Sequence, residues 1–138
     1  MIKTEYLHFN TKGNTDIIDI TPLVSQAVKK VNIKEGIVCI SCIGSTGALT
    51  TIEYESALLK DFKNIIEEMI SEKRNYFHNA TWQDDNGHSH LRASFIGPSL
   101  IIPITLGNLE LGTWQQIVFI DFDIRPRRRK LVLKFIGE

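Results

Sequence analysis

Cysteine is scarce: Cys39 and Cys42 are the only two in 138 residues. That excludes a disulfide scaffold and makes a reducing cytoplasm the expected compartment. Neither sign of charge is in excess, because 16 Lys plus Arg balance 16 Asp plus Glu. A dedicated nucleic-acid binder carries a basic surplus, so that class is not expected. No apolar run approaches the ~18 residues a membrane span requires, so no membrane partner is expected. The opening Met1-Ile2-Lys3-Thr4-Glu5 lacks the basic-then-apolar pattern of a secretory signal. No repeat, linker or low-complexity stretch is visible. What remains is ordinary for one soluble domain spanning 1–138, with 43% hydrophobic and 23% charged residues.

Residues 2–10 and 15–20 read as strands around the turn-forming Lys12-Gly13-Asn14. Thr21-Pro22 marks a helix start, and Leu23, Val24, Ala27, Val28 and Val31 give 22–32 an apolar face. The run 37–43 is apolar and β-branched, which predicts a strand buried on both faces. Leu49 to Ile52 extends as strand beyond Gly44-Ser45-Thr46-Gly47. From Glu55 to about Lys73 the pattern is helical, whereas 75–88 loses periodicity and reads as a loop. Ser89 is placed to cap a short helix ending before Gly97-Pro98. A hairpin is expected from Leu100–Leu106 and Leu109–Leu111 around Gly107-Asn108, then strands over Trp114–Phe122 and Leu131–Ile136. The fold class is α+β with a largely antiparallel sheet.

Chemistry concentrates in the loop 78–90, which holds His78, His88 and His90 with Asn79, Asp84, Asp85 and Asn86 between them. Three imidazoles are a reasonable ligand set for zinc or another divalent metal, with an open position left for catalysis. A metal-dependent hydrolase acting on a phosphorylated small molecule is therefore one reading. A polar surface loop that happens to be rich in histidine is the plainer one. Gly44-Ser45-Thr46-Gly47 could cradle a phosphate through its backbone N–H groups and hydroxyls, although it lacks the lysine and spacing of a P-loop. Arg125 and Arg127 to Lys130 form a basic run suited to a phosphate-like anion, with Arg127 and Arg128 as the candidate contacts. Cys39 and Cys42 lie in strand-like sequence, which sends their thiols to opposite faces and marks them as structural.

The stretch Ser94 to Pro103 followed by Leu111-Gly-Thr-Trp-Gln-Gln-Ile117 resembles the signature region of the YjbQ family. Leu49-Thr50-x-x-Glu53, the His78 loop, Ser89-His90 and Gly137-Glu138 match the same family, so the resemblance covers the whole chain. It implies a sandwich-like antiparallel sheet and a homotrimer with clefts between subunits. It also implies a secondary thiamine-phosphate synthase activity. That reaction joins an aminopyrimidine methyl pyrophosphate to a thiazole phosphate and releases pyrophosphate. Glu53, His78 and His90 would then be catalytic. Ser45, Thr46, Asn86, Thr113, Trp114, Gln115, Arg127 and Arg128 would contact the phosphorylated heterocycle. A non-catalytic trimer binding a small phosphorylated ligand is the further alternative. Where many relatives carry a histidine this chain has Gly44, and the expectation is that His88 supplies the missing imidazole.

Overall fold

A computed structural model describes residues 1–138. Alternation builds its strands. Along β8 (Arg127–Gly137), Arg129, Leu131, Leu133 and Phe135 are buried, while Arg128, Lys130, Lys134 and Ile136 face outward. In chain order it is preceded by β1 (Ile2–Thr11), β2 (Asp16–Asp19), α1 (Thr21–Val31), β3 (Gly36–Cys42) and β4 (Gly47–Ile52). Then come α2 (Ser56–Met69), α3 (Phe77–Trp82), α4 (Gly87–Ile96), β5 (Ser99–Thr105), β6 (Asn108–Leu109) and β7 (Gln116–Asp121). Every strand pairing is antiparallel. The strands divide into a five-stranded sheet, β1-β8-β3-β5-β6, and a three-stranded sheet, β2-β7-β4. The fold is thus α+β and sandwich-like, and no helix is long and apolar enough to cross a membrane.

The smaller sheet is the middle layer. On one side Ile117, Phe119 and Leu49 pack against Val38, Ile40, Leu133 and Phe135 of the larger sheet, together with Val24, Ala27 and Val28 of α1. On the other side Ile17, Ala48, Val118 and Ile120 meet Ile66 of α2 and Ala93 of α4. The strand buried on both faces is therefore β7 and not 37–43. In β3 only Val38, Ile40 and Cys42 are buried, and Cys39 is half-exposed on the opposite face. The two thiols do diverge as their spacing predicts.

Several local expectations shift. The turn after β1 does not close a hairpin, because β1 pairs with β8 in one sheet and β2 with β7 in the other. Ile20, not Thr21, precedes α1, and the Thr21 hydroxyl instead accepts from the Ile117 N–H at 2.8 Å. The hairpin turn is Leu106-Gly107, one residue earlier than expected. Both have positive φ, 50° and 79°, as a primed turn requires. The segment read as loop contains α3, and Asn86 rather than Ser89 precedes α4. The stripe on α2 is wider than the protomer covers, with Ile65 and Met69 more than half exposed.

At one end the sheets are joined by buried charge. Arg129 of β8 donates from Nε and Nη2 to both Asp121 oxygens of β7, each at 2.7 Å, and also from Nη2 to Thr46 Oγ1 at 2.8 Å. Thr11 of β1 donates to the same Asp121 carboxylate, and Thr46 to Asp123 at 3.1 Å. Burial works against the guanidinium charge, but the Asp121 carboxylate outweighs it and holds the Arg129 pKa above its ordinary value. Replacing Asp121 by Asn leaves a buried cation uncompensated. The expected loss is about 3–5 kcal/mol in urea unfolding at pH 7, with Asp121→Asn/Arg129→Met recovering part of it. A loss below ~1 kcal/mol for the single variant would show the pair to be dispensable.

Candidate functional site

Two short helices bring the first pair of predicted residues together. Gly87 opens α4 and its N–H donates to Asn79 Oδ1 of α3 at 2.8 Å, which docks one helix on the other. His78 on α3 and His90 on α4 then meet edge to face, ring centroids 4.8 Å apart. The Asn86 amide nitrogen donates to His78 Nε2 at 2.9 Å and to Asp84 Oδ1 at 2.9 Å. Asn86 and Asp84 thus orient His78, and His78 braces His90. Asn86, expected as a substrate contact, here positions an imidazole.

His90 lines a cleft of about 260 Å³ with Gly44, Ser45, Gly47, Ser94 and Pro98. The cleft sits where the turn between β3 and β4 faces α4. Its far end is held by Leu49 N–H to the Gly97 carbonyl at 3.0 Å and Cys42 N–H to the Pro98 carbonyl at 2.8 Å. Ser45 is exposed in the cleft, whereas Thr46 is buried and turns its hydroxyl to Arg129 and Asp123. Thr46 is therefore a support for the turn rather than a ligand contact. Behind Gly44 stands Arg129, whose Nη1 lies 3.2 Å from where a Cβ on residue 44 would project. Gly44 has φ +156°, which together with that close approach disfavours any side chain. A histidine at 44 would meet the guanidinium.

The basic run is strand, and its side chains alternate. Arg127 pairs with Asp123 at 2.8 Å and shares a face with Arg129, while Arg128 projects from the other face and is exposed. Arg127 and Arg128 cannot grip one anion together. The arginine nearest the cleft is Arg129, which motif reasoning passed over. Its alternation with Leu131, Leu133 and Phe135 was the available signal.

His88 departs most from expectation. Two residues apart on a helix are about 200° apart, so His88 and His90 face opposite ways. His88 is 3% exposed and borders a different cavity, of about 230 Å³, with Glu72 and Arg92. The three imidazoles do not converge, and the three-histidine metal centre is not formed. Nor does His88 stand in for an imidazole at Gly44. Burial, reinforced by the Arg92 charge, pushes the His88 pKa below the usual histidine value.

Glu53 and Trp114 occupy a third hollow of about 330 Å³, with Asp19, Tyr54, Glu55 and Gln116. It lies past the far end of β4, roughly 20 Å of strand from Gly47. Gln115 accepts from Gly112 N–H and donates to Thr51, and Thr113 accepts through its carbonyl from Gln116. Within one chain these four residues do not share the His90 cleft.

A family model described as UPF0047 protein YjbQ-like matches residues 5–138. A UPF0047 protein from Methanothermobacter thermautotrophicus is 36% identical over 99% of this chain and 94% of that protein. The UPF0047 protein YugU of Bacillus subtilis is 30% identical over 99% and 100%. Among solved structures, a YbjQ-like protein of unknown function from Sulfolobus solfataricus superposes with a TM-score of 0.90. It shares 33% identity, with all of both chains covered. A hypothetical protein from Aeropyrum pernix gives 0.92 at 31% identity, covering 99% of each.

The buried His88 makes stability depend on pH. Its folded pKa lies below the unfolded value of ~6.5, so its neutral form is the one folding favours. That contribution is complete above ~6.5 and is lost as pH falls towards the folded pKa. The urea midpoint should drop between pH 7 and 5, and His88→Gln should flatten the slope in that window. An unchanged slope would show that His88 does not titrate with unfolding.

Proposed function

This chain belongs to the YjbQ/UPF0047 family, and on that footing we propose that it is a small-molecule transferase of the secondary thiamine-phosphate synthase kind. The observation that carries the proposal is the arrangement around Gly44. Gly44, which carries no side chain, lies between the cleft and the Arg129 guanidinium, with the His90 imidazole on the same cleft. Oxyanion leaving groups are stabilised by fixed backbone donors, and Arg129, whose charge is matched by Asp121, holds the turn that presents them. In the reaction, the C–O bond between the pyrimidine methylene and the diphosphate breaks, and its electron pair leaves on oxygen. The thiazole nitrogen supplies the electron pair for the new C–N bond. Ser45, the backbone N–H groups at 44–46 and His90 would hydrogen-bond the departing pyrophosphate, while His78 keeps His90 in place.

Glu53 and Trp114 would recognise the aminopyrimidine by hydrogen bonding and stacking. Their distance from the cleft within one chain favours contribution from a neighbouring copy, as in a homotrimer with clefts between subunits. The outer face of the larger sheet, with Ile2, Ile101 and Ile136 each at least half exposed, supports association. No step is assigned to a divalent metal, because His88 faces away from the pair formed by His78 and His90. The hydrolase alternative loses the three-histidine ligand set on which its metal-bound water rested.

Titration calorimetry with pyrophosphate tests the cleft, and His90→Ala or Gly44→Val should weaken binding about tenfold or more. Formation of thiamine phosphate from its two precursors tests the chemistry. Binding without turnover would leave a ligand-binding protein and reject the transferase. Absence of pyrophosphate binding would reject the cleft itself. Light scattering should return three times the 15.7 kDa chain mass, and a monomer would remove the shared-site arrangement.

A further inference from the structure

Across α4 from the cleft, the cavity of about 230 Å³ at His88 has no hydrophobic residue in its wall. Its buried members are Thr15, His88 and Arg92, its exposed ones include Lys63 and Glu72, and a wall of this kind suits a polar occupant. Arg92, 6% exposed, is already committed. It donates to the Ile70 carbonyl, the Thr15 hydroxyl and the Glu67 carboxylate. Glu67 is committed too, accepting from Arg92 and from the Ser71 hydroxyl.

Three groups are unanswered. His88 Nδ1 is sealed inside the protein without a partner, and the ring nitrogen on the cavity side is Nε2, which stands 3.9 Å from the Glu72 carboxylate, beyond hydrogen-bond range. Glu72 has only that distant imidazole for a charged neighbour, and Lys63 lines the same cavity without an ion pair. Lys63 lies on α2 and Glu72 just beyond its end, roughly 13 Å apart in helix rise. Both border the cavity, one cation and one carboxylate with no ion pair to each other.

Charge selects the ligand. A phosphate dianion would face Glu67 and Glu72, and a simple amine would face Lys63 and Arg92. A molecule carrying both charges satisfies both ends, and the cavity is small. We infer that this cavity binds a small aminocarboxylic acid, its carboxylate on Lys63 and its ammonium on Glu72, with the His88 imidazole hydrogen-bonded between them. The inference is independent of the transferase reading, since His88 and His90 face different spaces.

The test uses the full chain with ¹⁵N-labelled histidine and follows imidazole resonances during titration. Glycine, β-alanine and γ-aminobutyrate carry the same two charges at increasing separation; acetate and methylammonium carry one each. At least one aminocarboxylate should shift His88 saturably while His78 and His90 stay unmoved. Neither single-charge probe should saturate. Lys63 and Glu72 are exposed, so Lys63→Gln and Glu72→Gln should fold normally and each weaken binding about tenfold or more. The inference is overturned if none of the three aminocarboxylates saturates, if acetate or methylammonium alone saturates the site, or if both variants bind like the wild type. Pyrophosphate added to the same sample reports on His90. Its failure there rejects the cleft and leaves this site standing.

Discussion

A carboxylate and a guanidinium sealed from water are unfavourable unless nearly every lone pair and proton is answered. In this protein the answers to Asp121 and Arg129 come from segments far apart in the chain. Thr11 lies on β1, Thr46 in the turn before β4, and both charges on the last two strands. Folding must bring all of them to one place before the charges are tolerated there. The pair therefore acts as a register pin between two sheets that share no strand. It is flanked by a second charge pair, Arg127 with Asp123, whose carboxyl is held below its usual range by those partners despite its burial. Arg129 also lies 5.7 Å from the Phe119 ring centroid, which ties the polar joint to the hydrophobic core.

The turn at Gly44 to Thr46 inherits its shape from that joint. Thr46 is bonded to both Arg129 and Asp123, so the backbone before it is drawn over the guanidinium. A charge that serves the fold is thereby brought beneath the floor of the cleft. The opposite wall depends on α4, whose Ala93 packs on the reverse face of the smaller sheet and whose start is docked on α3. Stability and the candidate chemistry thus draw on the same contacts. Changes to the joint should be felt in both.

Helix α4 separates two environments within a single turn. His90 faces an open cleft and is braced by another imidazole, whereas His88 is sealed beside an arginine. Histidines so near in sequence differ because a helix points them to opposite sides, one towards solvent and one towards α2 and the turn at Thr15. Arg92, one turn beyond His88, crosses that space to the Ile70 carbonyl and Thr15. The cavity at His88 owes its polar lining to this crossing.

Local pattern alone specified much of the architecture. Turn-forming residues and apolar β-branched runs identified most strands, three-and-four spacing identified α1 and α2, and the spacing of Cys39 and Cys42 placed their thiols on opposite faces. The histidine-bearing segment and the glycine turn were also legible, because unusual residue types concentrate there. Their partnerships were not. Which arginine of the run 127–129 turns inward depends on the phase of β8 against its neighbours. Whether His88 joins His90 depends on where the helix begins. Both are set by packing, since a one-residue change of phase moves a side chain to the other face. The division of the strands into two sheets, and the separation of Glu53 and Trp114 from the cleft, belong to tertiary structure for a related reason. They follow from burying β7 on both faces, and no single strand's sequence states what will cover it.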